Sequence, residues 1–517
     1  MKEFLEKHAE KITATISCFD RLIFKGYLPL TWPDRMESLL SRNNRKIKEF
    51  KDFVSSSSEQ LVKHAKALAE KNDRVYRYLQ GRVRKEELAR GLAEAEQITQ
   101  GLVCVFSAVE PCQSFSIARG KVRPKIVAAK RKCLALYYYF IDRELGFMHV
   151  RIQTWFPLTV QVYVNGHEWL ARQLERHGVA FDIRENAFLW IEDLEKAQRI
   201  ADRFVKKRWP SLLSALARRV NPLLRNLLSN MDYYWVTDQA EFATDVLFRS
   251  PGALKDLYEK LLEQATLRFS AEDVMTFLGR KLNGHFKGEI SGDFKKKRWP
   301  GARVKHRMKR NWLKMYDKQG CVLRIEMVIN MPREFKVRRS GIRKGERIIG
   351  WFPMAKGVSN LYRYREVSLS ANARYLNALA QVYDPGNARS ELQDLARPRH
   401  VRNRSYRGFN PADSQDVALF EAVLRGEHLI HGFRNADIRA RIFPETTDTR
   451  EKRRRSARVS RLLRRLHAHG LIAKTPRSRR WRATKKGLRL MSATLHFHAS
   501  EFIEIRRKIC AELRQTG

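Results

Sequence analysis

Apolar residues recur along this chain with two different periods, and the places where the period changes divide it. Residues 1 to about 100 are spaced mainly by three and four, with breaks at Ser55-Ser56-Ser57-Ser58 and at the Trp32-Pro33 turn before Asp34. That spacing predicts a helical amino-terminal arm or bundle, in which Phe19-Asp20-Arg21 reads as a salt-bridged turn at a helix end. From Gly101 the runs Leu102 to Val109, Ser114 to Ala118, Cys133 to Ile141, Phe147 to Trp155 and Leu158 to Val164 are rich in Val, Ile, Phe and Tyr, and predict strands. A helix from His167 to His177, a strand near Ala187 to Ile191 and a helix from Leu194 to Trp209 complete an α+β domain over 101–210. Helical spacing returns from Asn221 to Phe277, so 211–300 is expected to be a helical segment. Asp232-Tyr233-Tyr234-Trp235 would open one of its helices and Ser270-Ala271-Glu272-Asp273 would cap another. Alternation resumes from Arg303 to Asn330 within a hairpin-containing region, 301–384; the proline- and arginine-rich stretch 385–412 reads as a basic linker.

The last part, 413–517, is organised differently. Val459, Leu462, Leu463 and Leu466 mark one buried stripe of a helix whose other face carries Arg453, Arg454, Arg458, Arg461 and Arg465. Gly470 stops it, Leu471 to Lys474 is a short strand, Thr475 to Ser478 a turn and Arg480 to Ala483 a returning strand. Asp416 to Leu424 and Arg434 to Phe443 supply two supporting helices. With its His469-Gly470-Leu471-Ile472 turn, the segment from about 413 to 492 resembles the winged helices of MarR- and ArsR-type bacterial regulators. The resemblance covers less than a fifth of the chain and implies a DNA-reading helix, with Arg477, Arg479, Arg480 and Arg482 of the wing against the adjacent backbone. It implies no effector and no operator. Arginine suits either task, since it pairs with phosphate oxygens or with guanine O6 and N7. The expected fold class is α+β multidomain: a helical amino-terminal region, a mixed α+β body and a carboxy-terminal winged helix.

Charge sharpens the choice of partner. A formal net charge of +46 over 517 residues, spread along the chain, repels itself unless a polyanion neutralises it. Nucleic acid is the expected partner, DNA first and RNA second. Membrane is not expected, because the longest apolar run, Cys133 to Ile141, is too short to span one. The opening Met1-Lys2-Glu3-Phe4-Leu5-Glu6 lacks the apolar stretch of a cleaved signal, and a cytoplasmic location follows as an expectation. Hydrophobic content of 43% is enough to bury real cores. The six cysteines lack paired spacing and read as reduced thiols. None of these patterns sets an oligomeric state.

Candidate chemistry concentrates on Asn311 to Met327. A hairpin with a Lys318-Gln319-Gly320 loop, pairing Asp317 with Cys321, places Leu313, Met315, Leu323, Ile325 and Met327 on one face. Lys314, Tyr316, Arg324 and Glu326 then share the other face, a kit for phosphoryl transfer. In it Tyr316 would be nucleophile or phosphate contact, Lys314 and Arg324 would stabilise charge, and Glu326 would be metal ligand or base. Arg303, Lys305, Arg307 and Lys309 alternate on the preceding strand and would hold a nucleic-acid strand. The run Tyr316-Asp317-Lys318 with Leu323-Arg324-Ile325-Glu326 resembles hairpins of rolling-circle initiators, but their paired-histidine metal motif is missing, so that activity is not carried over. Asp238, Glu241 and Asp245, spaced by three and four, would present three carboxylates on one helical face to Mg²⁺ or Mn²⁺. A solvated sheet face and a charge-neutralising stripe are the blander uses of these two groups. Scattered histidines, including His149, His167, His285 and His306, suit core or phosphate contacts better than metal ligation. Two functional readings follow. One is a mobile-element or replication-type enzyme, a metal-dependent nuclease or DNA strand-transferase; the other is a non-catalytic binder of DNA or structured RNA.

Overall fold

The computed structural model describes residues 1–81, 83–120, 123–269, 271–280, 289–295, 303–343, 345–380, 393–401, 404–475, 478–484, 486–495 and 498. Its largest element is an eleven-stranded sheet built from β1 (Ile12–Tyr27), β2 (Tyr76–Tyr78), β3 (Gly101–Ala118), β4 (Lys125–Asp142), β5 (Gly146–Gln153) and β6 (Val160–Asn165), continued by strands beyond a small hairpin. That hairpin is β7 (Phe181–Arg184) with β8 (Ala187–Ile191). The sheet then takes in β9 (Tyr234–Phe248), β10 (Ile290–Lys295), β11 (Arg303–Met308), β12 (Asn311–Lys318) and β13 (Val322–Ile329). In space the order is β10-β11-β12-β13-β9-β1-β6-β5-β4-β3-β2. Every neighbouring pair is antiparallel except β2 with β3, so the sheet is mixed. Three further hairpins lie apart from it: β14 (Lys336–Arg343) with β15 (Glu346–Pro353), β16 (Arg399–Val401) with β17 (Arg404–Tyr406), and β18 (Ile472–Lys474) with β19 (Trp481–Ala483).

This mixed α/β architecture overturns the helical amino-terminal region. Helices do occupy Pro33–Arg42, Phe50–Lys71 and Lys85–Ala95, but after a short helix, Lys2–Lys7, the first long element is β1, which lies between β9 and β6 near the middle of the sheet. Its residues Ile16 to Asp20 are all buried, so no alternation survives in the sequence to announce a strand. The same reason corrects the helix expected to open at Asp232: Trp235, Thr237, Phe242, Thr244 and Val246 belong to β9, buried almost throughout. One sheet thus crosses the boundaries expected near 100, 210 and 300.

One face of the sheet is apolar and covered by helices. Leu313, Met315, Ile325, Met327, Phe242 and Val246 meet helix Leu361–Leu379, whose Asn372 Nδ2 donates to the carbonyls of Phe242 and Ile325. Towards β1, Phe24 packs on Trp209 with ring centroids 4.9 Å apart, and the Trp209 indole N–H donates to the Phe204 carbonyl at 3.0 Å. Beyond the reach of β6, the edge of β1 is covered by helix Leu194–Arg203. Gln198 satisfies both the N–H and the C=O of Ser17 there.

A second, separate core holds the carboxy-terminal part, with Phe409, Val417, Phe420, Ile438, Val459, Leu463, Leu466 and Ile472. Its elements run helix Ser414–Val423, helix Gly426–His431, a single bridge at Phe433, helices Asn435–Ile442 and Thr449–Ala468, then β18 and β19. Phe433 bridges to Trp481 of β19, a third strand position beside the hairpin. Cys18, Cys104, Cys112, Cys133 and Cys321 are free thiols; Cys510 lies outside the described residues.

Trp209 is the largest fully buried side chain among the described residues. Trp209→Ala is expected to cost about 3–5 kcal/mol, read as a lowered urea midpoint.

Candidate metal centre

On the opposite face of the sheet, three adjacent strands bring charged residues together. In β12 and β13, Tyr316 lies opposite Arg324 and Lys314 opposite Glu326. The expected pairing of Asp317 with Cys321 is off by two residues, because the three-residue loop is Gln319 to Cys321, with Gln319 and Gly320 both at positive φ. A slip of two preserves which side chains share a face. Lys314, Tyr316, Arg324 and Glu326 are therefore together, as the alternation implied.

The metal-ligand stripe fares differently. On β9, Glu241 and Asp245 share a face, but as residues of a strand and not of a helix. The register shifts between Ile23 paired with Gln239 and Phe24 paired with Thr237, which leaves Asp238 at the irregularity. Asp238 pairs there with Lys25 at 3.7 Å and Lys356 at 3.2 Å, away from the other two. Its place is taken by Asp20. β1 carries an extra residue between Phe19, paired with Phe242, and Leu22, paired with Ala240, and a bulge of this kind re-aims a side chain. Asp20, Glu241 and Glu326 each offer a carboxylate oxygen, all within 4.8 Å of one another, and all three residues are buried. Sequence reasoning placed Asp20 in a helix turn; a β-branched run ahead of it, Ile12-Thr13-Ala14-Thr15-Ile16, was the available signal.

Cations sit around this cluster. Lys314 Nζ donates to Glu326 Oε1 at 2.5 Å and lies 3.5 Å from Glu241. The Tyr316 hydroxyl donates to the other oxygen of Glu326, and Gln239 Nε2 donates to Glu241. Arg324, fully buried, grips Asp245 through Nε and an Nη, both at 2.7 Å, and donates to the Asn186 carbonyl at 2.6 Å. Its remaining Nη has no hydrogen-bond partner and lies 3.6 Å from Asp20. His167 joins Asp20 at 3.2 Å through Nδ1 and Arg324 at 3.0 Å through Nε2. It reaches them because helix Gly166–Arg176 starts against β1: a Cβ on Gly166 would fall 2.1 Å from the Phe19 carbonyl oxygen. Asn186, between β7 and β8, donates to Asp20 at 2.8 Å and roofs this end.

Burial and neighbouring charge set the protonation states. Burial, then the adjacent Glu326 carboxylate, push Glu241 up from 4.5 to about 8. Burial also opposes ionisation of Glu326, yet the Lys314 ammonium holds its pKa below the ordinary value. Asp20 is likewise held low against burial by His167 and Arg324. Tyr316 is kept a phenol by burial and by the Glu326 charge. With Glu241 protonated, the negative charge lies on Asp20, Asp245 and Glu326, set among Arg21, Lys314, Arg324 and His167, whose pKa stands well above its ordinary value despite burial. Three hard carboxylate donors fit Mg²⁺, Mn²⁺ or Ca²⁺, whose metal–oxygen distances of roughly 2.0–2.6 Å separate ligand oxygens by up to about 4–5 Å.

The remaining candidates divide into exposed and engaged. Arg303, Lys305 and Arg307 are half-buried on the same face as Lys314 and Tyr316, with Lys305 3.8 Å from the centroid of the Trp312 ring. Lys309 pairs with Glu334 at 2.7 Å. Arg453, Arg454, Arg458, Arg461, Arg479 and Arg482 are exposed, whereas Arg480 donates to the Gly432 carbonyl. Arg465 is structural: it forks onto Asp416 at 2.8 and 2.9 Å and lies 3.8 Å over Phe409. Arg477 and His285 lie outside the described residues. His149 stacks on Tyr163, and His306 bonds Tyr375 in the apolar core. No helix of the described residues is long and apolar enough to cross a membrane. No protein-family model, curated protein or solved structure matches the chain.

The raised Glu241 pKa has a sign that can be measured. Its stabilising contribution is fully present below about pH 4.5 and is lost as pH rises through about 8. Between pH 6.5 and 8, Glu241 should make stability in chelator fall by up to about 1.4 kcal/mol per pH unit, beside a fall of the same sign from His167, whose pKa is also raised. Glu241→Gln should remove the Glu241 share of that slope.

Proposed function

We propose that this protein is a DNA-binding enzyme acting on phosphodiesters, a nuclease or strand-transferase, with Mg²⁺ or Mn²⁺ held by Asp20, Glu241 and Glu326. The observation that carries the reading is the convergence of these three buried carboxylates on β1, β9 and β13. A divalent cation there would neutralise charge developing on a phosphoryl oxygen. The protein's own residues have distinct parts in this reading. Lys314 shares the carboxylates and is the cation that must yield ground to a metal ion. Tyr316, held protonated, orients Glu326 and does not attack. Arg324 and His167 position Asp20 from behind.

Delivery of DNA is assigned to the carboxy-terminal domain, as the winged-helix resemblance implies. Exposed arginines on helix Thr449–Ala468 and on the β18–β19 hairpin support this, as does the net charge of +46. A second reading, a non-catalytic binder of DNA or structured RNA, is favoured by the near-complete burial of the carboxylates and their compensation by Lys314.

Labelled single- and double-stranded DNA incubated with Mg²⁺ or Mn²⁺ separates the two. The enzyme reading expects cleavage that falls at least about 100-fold in Glu326→Gln and Asp20→Asn but survives Tyr316→Phe. Tight, salt-sensitive binding with no cleavage in either metal would establish the binder. Independently, Arg458→Ala with Arg461→Ala should weaken duplex binding about tenfold and reduce its salt dependence; unchanged affinity would remove this domain from the interface.

A further inference from the structure

The β14–β15 ribbon stands outside the main sheet and shows an unusual surface. Its register places Lys336 opposite Pro353, Arg338 opposite Trp351, Ser340 opposite Ile349 and Ile342 opposite Arg347. All eight of these residues lie on one face and all are exposed, with Ile342 at 73%, Ile349 at 72% and Trp351 at 70% of full exposure. The opposite face turns inward at its base, where Val337 is buried and Arg339 lies over the Phe352 ring. Soluble proteins seldom leave a tryptophan and two isoleucines on one exposed face without a partner.

Charge decides which partner. Residues 336 to 353 contain six lysines and arginines against one acid, Glu346. Among the described residues, no carboxylate pairs with Lys336, Arg338 or Arg347. A second copy of this face would set those three cations against their own equivalents, and like-charge contact of that kind costs several kcal/mol. A polyanion with apolar surfaces meets both features at once. The ribbon, eight residues per strand, is about 27 Å long. A two-stranded ribbon fits the major groove, roughly 12 Å wide.

We infer that the β14–β15 ribbon is a second nucleic-acid contact, laid into a groove of duplex DNA. Lys336, Arg338 and Arg347 meet phosphates, and Trp351 with Ile349 packs on sugar and base edges. The inference rests on the phosphodiester reading above, because the ribbon is tied to the strand that carries the metal centre. Met354 N–H donates to the Phe335 carbonyl and closes the base of the ribbon, at 2.8 Å. Thr237 N–H donates to the Lys356 carbonyl, also at 2.8 Å, and Lys356 Nζ reaches Asp238. Asp238 is three residues before Glu241 on β9. The base of the ribbon is thus fastened to the strand that supplies Glu241.

The test is duplex binding by fluorescence anisotropy across a salt series, using the full chain and the triple variant Arg338→Gln, Arg347→Gln, Trp351→Ala. These positions are exposed, so the thermal midpoint and Mn²⁺ binding should match the parent protein and show that the fold and metal centre are intact. Affinity should fall at least tenfold, and the slope of log K against log[salt] should shrink by about two, one per phosphate contact removed. Unchanged affinity and slope, with the parent binding duplex, would overturn the ribbon contact and leave the phosphodiester reading standing. Self-association of the parent that the variant abolishes, without a change in DNA affinity, would overturn it in favour of a second copy. Loss of binding in the variant alongside absence of metal-dependent cleavage in the parent would uphold the ribbon while removing the nuclease.

Discussion

The structure depends on compensating charge that has been taken out of water. Asp20, Asp245, Glu326 and Arg324 are buried and Lys314 is mostly so, in surroundings where an unmatched charge costs several kcal/mol. The two-pronged grip of Arg324 on Asp245 fixes β13 to β9, and the His167 link to Asp20 fixes helix Gly166–Arg176 to β1. Such a network contributes little net stability compared with an apolar core of the same volume. What it contributes is position: each partner holds the next to within hydrogen-bond distance, and the carboxylates of Asp20, Glu241 and Glu326 are kept together by the groups around them.

That arrangement needs a platform that does not move. Helix Leu361–Leu379 and the helices around Trp209 cover the apolar face of the sheet, so the strands beneath the carboxylates are anchored by buried hydrophobic area. The polar face is then free to carry charge. The bulge in β1 makes the difference between a strand that buries its residues on both sides and one that turns a carboxylate into the cluster. Glu241 is the adjustable member. Burial and the neighbouring Glu326 carboxylate keep its proton on to about pH 8, and a divalent cation held by the triad would compete with that proton.

Cationic surfaces lie at separate distances from this centre: the β11 strand beside it, the β14–β15 ribbon tied to β9, and the arginine face of helix Thr449–Ala468 on its own core. Arg465 shows why a row of arginines is not uniformly a binding face. Its stripe position turns it inward onto Asp416 and Phe409, while Arg458 and Arg461 stay exposed.

Local pattern determined what depends on neighbours in sequence. The alternation of Lys314, Tyr316, Arg324 and Glu326 against Leu313, Met315, Leu323, Ile325 and Met327 assigned the faces of the hairpin even though its pairing was two residues out, because strand side chains repeat every two residues. The helix from Thr449 was legible from its three-and-four apolar spacing, and the hairpin after it from its turn residues. Asp20, and the exchange of Asp238 for it, depended on long-range pairing: β1 and β9 meet across more than 200 residues, and the extra residue in β1 has meaning only against its partner. Strands buried on both faces lose the alternation that would mark them, so β1 and β9 looked helical, and only the assembled sheet decided which carboxylates share one site.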